Sequence, residues 1–124
     1  MTNRITIPRW FDRHLHIRDG EMLKNVLPST IESLATGAVI MGNLAAPDHT
    51  YSIDNALAYI IRIRKLLTLK DYFQIVMTCY LTDEITAEEV VRGYELGIWR
   101  AVKLYMAKQD GSGGTTNSSH GVKN

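Results

Sequence analysis

Phe73-Gln74-Ile75-Val76-Met77-Thr78-Cys79-Tyr80-Leu81, followed by Thr86-Ala87-Glu88-Glu89-Val90-Val91-Arg92-Gly93-Tyr94 and then Ala101-Val102-Lys103-Leu104-Tyr105, reads as strand, helix and strand. The first block is an apolar run of strand length. Thr86 and Glu89 have the spacing of a capping box, the helix after them is expected to bury Val90, Val91 and Tyr94, and Gly97 stops it. A strand over residues 101–105 completes one βαβ unit.

The same alternation extends backwards. Ser52 can cap a helix with Asp54 in its first turn, and Ile53, Ala56, Leu57, Ile60 and Leu67 are spaced as its apolar face, which leaves Arg62 and Lys65 on the wet side. Ala38-Val39-Ile40-Met41 is a short buried strand. A helix over residues 21–34 is expected to be interrupted by Pro28 and stopped by Gly37, and a first strand lies near residues 11–17. Four βα repeats in a row predict a parallel sheet, built either as an open doubly wound sheet or as a barrel. In both, chemistry gathers at the carboxyl ends of the strands.

Length and composition narrow the class. The 124 residues are 45% hydrophobic and 22% charged, as in an ordinary globular domain. A net charge of +1 leaves no electrostatic footprint for nucleic acid, and Arg62-Ile63-Arg64-Lys65 reads as the solvated face of a helix. There is no apolar leader segment and no run of membrane-spanning length, so no membrane association and a cytoplasmic location are the expectation. Cys79, the single cysteine, sits in an apolar run and reads as a buried, inert thiol.

The polar residues at strand ends carry the chemistry. They are His14, His16 and Arg18 after the first strand, Asn43 after the second, Tyr80, Thr82 and Asp83 after the third, and Lys103 in the fourth. Residues two apart on a strand share a face, so His14 and His16 can reach one metal ion, and Asp12 falls on the same parity. The plain alternative is a polar surface pair or a satisfied hydrogen-bonded pair. Lys103 interrupts an apolar strand, where a bare charge is costly, unless its stem carries the ammonium outward to water. Desolvation would lower its pKa, and a neutral amine can add carbon dioxide to form a carbamate able to bridge two cations.

These residues stand within longer strings. His14-Leu15-His16-Ile17-Arg18-Asp19-Gly20-Glu21-Met22-Leu23-Lys24, Met41-Gly42-Asn43-Leu44-Ala45-Ala46-Pro47, Met77-Thr78-Cys79-Tyr80-Leu81-Thr82-Asp83, Ala101-Val102-Lys103-Leu104-Tyr105 and Thr115-Thr116-Asn117-Ser118-Ser119-His120-Gly121-Val122 occur in the family's order. Together they closely resemble the N-terminal portion of the shorter, bacterial-type dihydroorotases of the amidohydrolase superfamily. The resemblance implies an α/β fold, a partial (β/α)8 TIM barrel of about the first four βα units. It implies a hydrolase: reversible cyclisation of N-carbamoyl-L-aspartate to L-dihydroorotate in pyrimidine biosynthesis, on two Zn2+ ions, by a homodimer acting on this small-molecule substrate. By resemblance His14 and His16 bind one zinc and carboxylated Lys103 bridges both. Arg18 and Asn43 hold the substrate's carboxylate, and Thr115 and Thr116 are hydroxyls on a loop that closes over the substrate.

Departures and length set further expectations. The family usually carries Pro at the positions of Gly42 and Met106, and both changes are expected to loosen loops beside the site. The segment before Thr115 is longer than usual, and His49 and His120, which match no family ligand, read as loop histidines. Residues 1–105 are expected to form the half-barrel and residues 106–124 a mobile Gly/Ser/Thr-rich loop and end. A whole barrel needs eight strands and about 250 residues. The general base and the other zinc ligands are therefore expected outside this sequence, and the 124 residues alone are expected to be inactive. The alternative is a non-catalytic half-barrel serving binding or assembly, its open edges covered by a second copy.

Overall fold

The computed structural model describes residues 4–107 and 121–123. Elements alternate along the chain as β1 (Asp12–Leu15), α1 (Gly20–Glu32), β2 (Gly37–Ile40), α2 (Ile53–Arg64), β3 (Gln74–Tyr80), α3 (Ala87–Glu95) and β4 (Ala101–Lys103). Every strand pairs in parallel with the next, in the order β1-β2-β3-β4. Strand order in a doubly wound sheet reverses at a switch point, whereas a barrel adds strands in sequence. This sheet has no reversal and it curls, which makes it a partial (β/α)8 barrel.

The main core lies between the convex side of the sheet and the helices. Ala38, Ile40, Met77 and Cys79 face outward onto Leu23, Leu27, Ala56, Tyr59 and Ile63, all of them buried. Side chains such as Leu27 and Ile40, with no exposed area, each gain about 1.5–3 kcal/mol from burial. Because strand parity has period two, alternate residues point inward: Val39, Met41, Thr78 and Lys103 line the concave side.

Each helix departs from its expected face for a visible reason. α1 runs through Pro28 unbroken; Pro28 is exposed, so the carbonyl it cannot pair is open to water while Leu23 and Leu27 hold the helix down. α2 buries Ile53, Ala56, Tyr59 and Ile63, and Leu57 is left exposed. α3 turns Val91 and Tyr94 to solvent, because Gly93 is its contact point: a Cβ there would sit 2.1 Å from the Trp99 ring. Thr86 caps α3 through Glu89 N at 3.2 Å, but the Glu89 carboxylate accepts from Ile53 N at 3.0 Å and so caps α2 instead of closing the box.

Gly42 is not a loosened position. Its N–H donates to Thr78 Oγ1 at 3.0 Å, and an added Cβ would overlap Thr50 Oγ1. Beyond β4, Met106 pairs with Val122 in an isolated parallel bridge, and Lys123 N donates to the Asp83 carboxylate at 3.1 Å. No helix among the described residues is long and apolar enough to cross a membrane.

Candidate functional site

The first strand carries an irregularity that decides which polar groups face the site. Asp12 pairs with Ala38 and Leu15 with Ile40, so β1 spends three steps where β2 spends two. This bulge breaks the alternation, and Asp12 Oδ1 accepts from His14 N at 2.8 Å. Asp12 therefore lines a hollow toward α1 with Trp10, Leu15 and Val26, whereas His14 lines the concave side with Met41, Thr78 and Lys103. The expected row of carboxylate and two imidazoles is reduced to the imidazoles. Among the described residues no group of three or more His, Cys, Asp or Glu could hold a metal ion.

The two rings and the lysine converge. His14 Nε2 lies 3.2 Å from His16 Nε2, and Lys103 Nζ lies 3.5 Å from the same His16 nitrogen. The Lys103 ammonium also sits 4.7 Å from the centre of the Tyr105 ring, a cation–π contact between residues of one strand parity. Lys103 is 9% exposed, so the stem does not carry the charge to water. Burial, then the charges of Lys103 and Arg18, push the His16 imidazole down to about 4, leaving it neutral with a free lone pair. Burial, then Arg18, lowers the Lys103 amine.

These donors fit a metal ion on one side. Two nitrogens each about 2.0–2.1 Å from one tetrahedral zinc stand about 3.3 Å apart, close to the separation of the two Nε2 atoms. Without metal the same separation suits one N–H···N bond between neutral rings. His14 and Lys103 line a cavity of about 360 Å³ that also takes in Val39 and Tyr105.

The other expected residues stand around this cluster. Arg18 is exposed, just past β1, with a left-handed φ of 59°. Asn43, past the end of β2, has a buried Oδ1 with no hydrogen-bond partner among the described residues. Thr115, Thr116 and His120 lie outside the described residues. His49 lies in the loop between β2 and α2, as expected, and is buried there: it is 5% exposed and packs on Tyr51 and edge-on to Tyr80. Two residues with no role assigned from sequence also reach the site. Tyr59 Oη donates to Arg18 O at 2.6 Å, and Arg62, expected on the wet side, pairs with Asp19 at 2.7 Å. The apolar spacing read along α2 left Tyr59 out, and its hydroxyl's target, 41 residues away, had no sequence signal.

A curled parallel sheet with imidazoles and an amine at its carboxyl ends defines a partial (β/α) barrel with a candidate site at those ends. Over 118 residues the chain is 46% identical to dihydroorotases from Cronobacter sakazakii and Salmonella heidelberg, matching 95% of this chain and 32% of theirs. Among solved structures it superposes on dihydroorotase from Saccharomyces cerevisiae, in complex with 5-fluoroorotic acid, with TM-score 0.73 and 26% identity over 91% of this chain and 28% of that one. The Campylobacter jejuni dihydroorotase gives TM-score 0.65 and 30% identity, over 90% and 30% of the two chains. No protein-family model matches the chain. The chain is thus related to the dihydroorotases and spans about a third of the length of the curated relatives it matches.

Proposed function

We propose that this chain is part of a zinc-dependent dihydroorotase that interconverts N-carbamoyl-L-aspartate and L-dihydroorotate in de novo pyrimidine biosynthesis. The observation that carries the reading is the meeting of His14, His16 and Lys103 on the concave side of a chain 46% identical to dihydroorotases. His14 and His16 would hold one zinc through their Nε2 atoms, and Lys103, as its carbamate, would supply a carboxylate to the metal site. When bound, the pair of zinc ions supplies Lewis acidity, lowering the pKa of water and polarising a carbonyl.

The chain's own residues hold and orient the substrate. Arg18 presents a planar guanidinium fork to a carboxylate. Asn43 Nδ2 adds a neutral donor, and its buried, unpaired Oδ1 is free to accept from a ligand N–H. The depressed amine of Lys103 is the form that can take up carbon dioxide. Thr115 and Thr116 serve as loop hydroxyls that exclude water over the bound substrate. The whole protein is read as a cytoplasmic homodimer.

The described residues supply one side of such a centre, so the 124-residue chain is expected to bind zinc without turnover. Zinc affinity is measured by chelator competition in bicarbonate buffer, and dihydroorotate formation is followed in the same samples. Zinc uptake that disappears in His14→Ala/His16→Ala supports the reading. Equal uptake by the double variant overturns the ligand assignment, and turnover above blank overturns the inactivity of the piece.

A further inference from the structure

The turn between β1 and α1 is gripped by two side chains of α2. Arg18 adopts φ 59°, a left-handed conformation that a residue with a Cβ holds only where its surroundings impose it. Tyr59, with no exposed area, donates its hydroxyl to the Arg18 carbonyl at 2.6 Å. One residue on, Asp19 caps α1 by accepting from Gly20 N at 2.8 Å, and its other oxygen pairs with Arg62 Nη2 at 2.7 Å. Tyr59 and Arg62 lie three residues apart on α2, and the guanidinium rests over the phenol ring, 5.5 Å from its centre. A core position asks only for the ring; the hydroxyl adds a directed bond to Arg18 and the guanidinium an ion pair to Asp19, the next residue of the same turn.

We propose that Tyr59 and Arg62 are positioning residues that impose the left-handed backbone of Arg18 and thereby preset the direction in which its guanidinium leaves the turn. The proposal rests on the reading of Arg18 as the fork for a substrate carboxylate. Its physical content is preorganisation. An arginine on an unrestrained turn relaxes to negative φ, and its ordering must then be supplied by the ligand at the expense of affinity. Held from behind, the fork meets the carboxylate without reorganising, and α2 becomes the element that sets its direction.

The test uses the 124-residue chain, its variants Tyr59→Phe, Arg62→Gln and Arg18→Ala, and L-dihydroorotate as the probe. Backbone amide and Arg18 Nε–H resonances are recorded by NMR well below the melting temperature, and the probe is titrated by the same shifts. In Tyr59→Phe, the amides of residues 18–20 are expected to shift and exchange faster while those of β2 to β4 stay in place, and the probe binds about tenfold more weakly. Arg62→Gln, whose partly exposed side chain is dispensable to the core, carries the same expectation should Tyr59→Phe not fold. A variant that only lowers the melting temperature, with Arg18 resonances and affinity unchanged, overturns the positioning role. If Arg18→Ala binds the probe as the parent does, the carboxylate reading fails, and the Arg18 resonances of Tyr59→Phe still decide the clamp.

Discussion

Lys103 Nζ stands 3.5 Å from His16 Nε2, although 87 positions separate them in sequence and two strands lie between theirs in the sheet. Across a flat sheet, β1 and β4 would run about 14 Å apart, three times the spacing of neighbouring strands. Only curling toward the concave side lets an imidazole and an amine from these two strands meet. The contact is therefore a direct measure of barrel curvature, and it couples the charge of one residue to the titration of the other.

Replacing Lys103 by Met keeps an apolar stem against Tyr105 and removes the positive charge. The Lys103 charge lowers the His16 pKa, second to burial, so Lys103→Met is expected to raise it from about 4 part of the way toward the ordinary imidazole value of 6.5. An imidazole NMR titration reads this directly, and an unchanged midpoint would show that the Lys103 charge does not act on the ring.

Stability should depend on pH through the same ring. His16 has a folded-state pKa below its unfolded value, so the unfolded chain binds its proton first as acid is added. Its contribution is complete above about 6.5 and is lost as pH falls from 6.5 toward 4. Melting temperature in metal-free buffer is expected to decline across that window, and less steeply in His16→Asn.

Thr78 ties three segments together. Its hydroxyl donates to Ile40 O at 2.8 Å and accepts from Gly42 N at 3.0 Å, while Thr50 Oγ1 donates to its carbonyl at 2.7 Å. Thr78→Val preserves shape and strands the buried Gly42 N–H, at a cost of about 1–3 kcal/mol. Urea denaturation of the two chains gives the difference. A loss below 0.5 kcal/mol, about the scatter of neutral substitutions, would mean that water replaces the hydroxyl.

Gly93 is expected to tolerate no side chain. The Trp99 ring occupies the Cβ position and is itself fixed by its Nε1–H bond to Val90 O at 2.9 Å. Gly93→Ala should cost about 1–3 kcal/mol by overpacking, despite alanine's better helix propensity. A variant as stable as the parent by the same urea measurement would show that Trp99 swings aside freely.

Cys79 is fully buried, and burial pushes its thiol up to about 11. Alkylation by iodoacetamide at pH 8 is expected to proceed only through opening of the fold, with a rate that rises with denaturant as unfolding does. Fast, denaturant-independent labelling would contradict the packing of β3 against the helices.

What could be read from the chain follows from local chemistry. The apolar runs around Val39 and Met77, the caps Ser52 and Thr86, and Gly97 mark strands and helices because capping and periodicity act over a few residues. The helix faces were less legible. Leu57, Val91 and Tyr94 fit the apolar spacing and yet face solvent, because Tyr59 and the pair Gly93–Trp99 fill the space against the sheet. Asp12 had the right parity and the wrong face, since a bulge depends on how β1 and β2 pair and leaves no mark in either strand alone.

By itself the sequence determined the alternation of strands and helices, the inward parity of His14, His16 and Lys103, and the kinship with dihydroorotases that this order of residues carries. Tertiary structure alone decided that the sheet curls enough to bring Lys103 to His16, that Asp12 leaves the site, and that Tyr59 and Arg62 hold Arg18 in place. The division has a physical cause. Propensity, capping and side-chain parity are properties of neighbours along the chain, whereas curvature, register and directed bonds across 41 or 87 residues arise only when separate elements pack together.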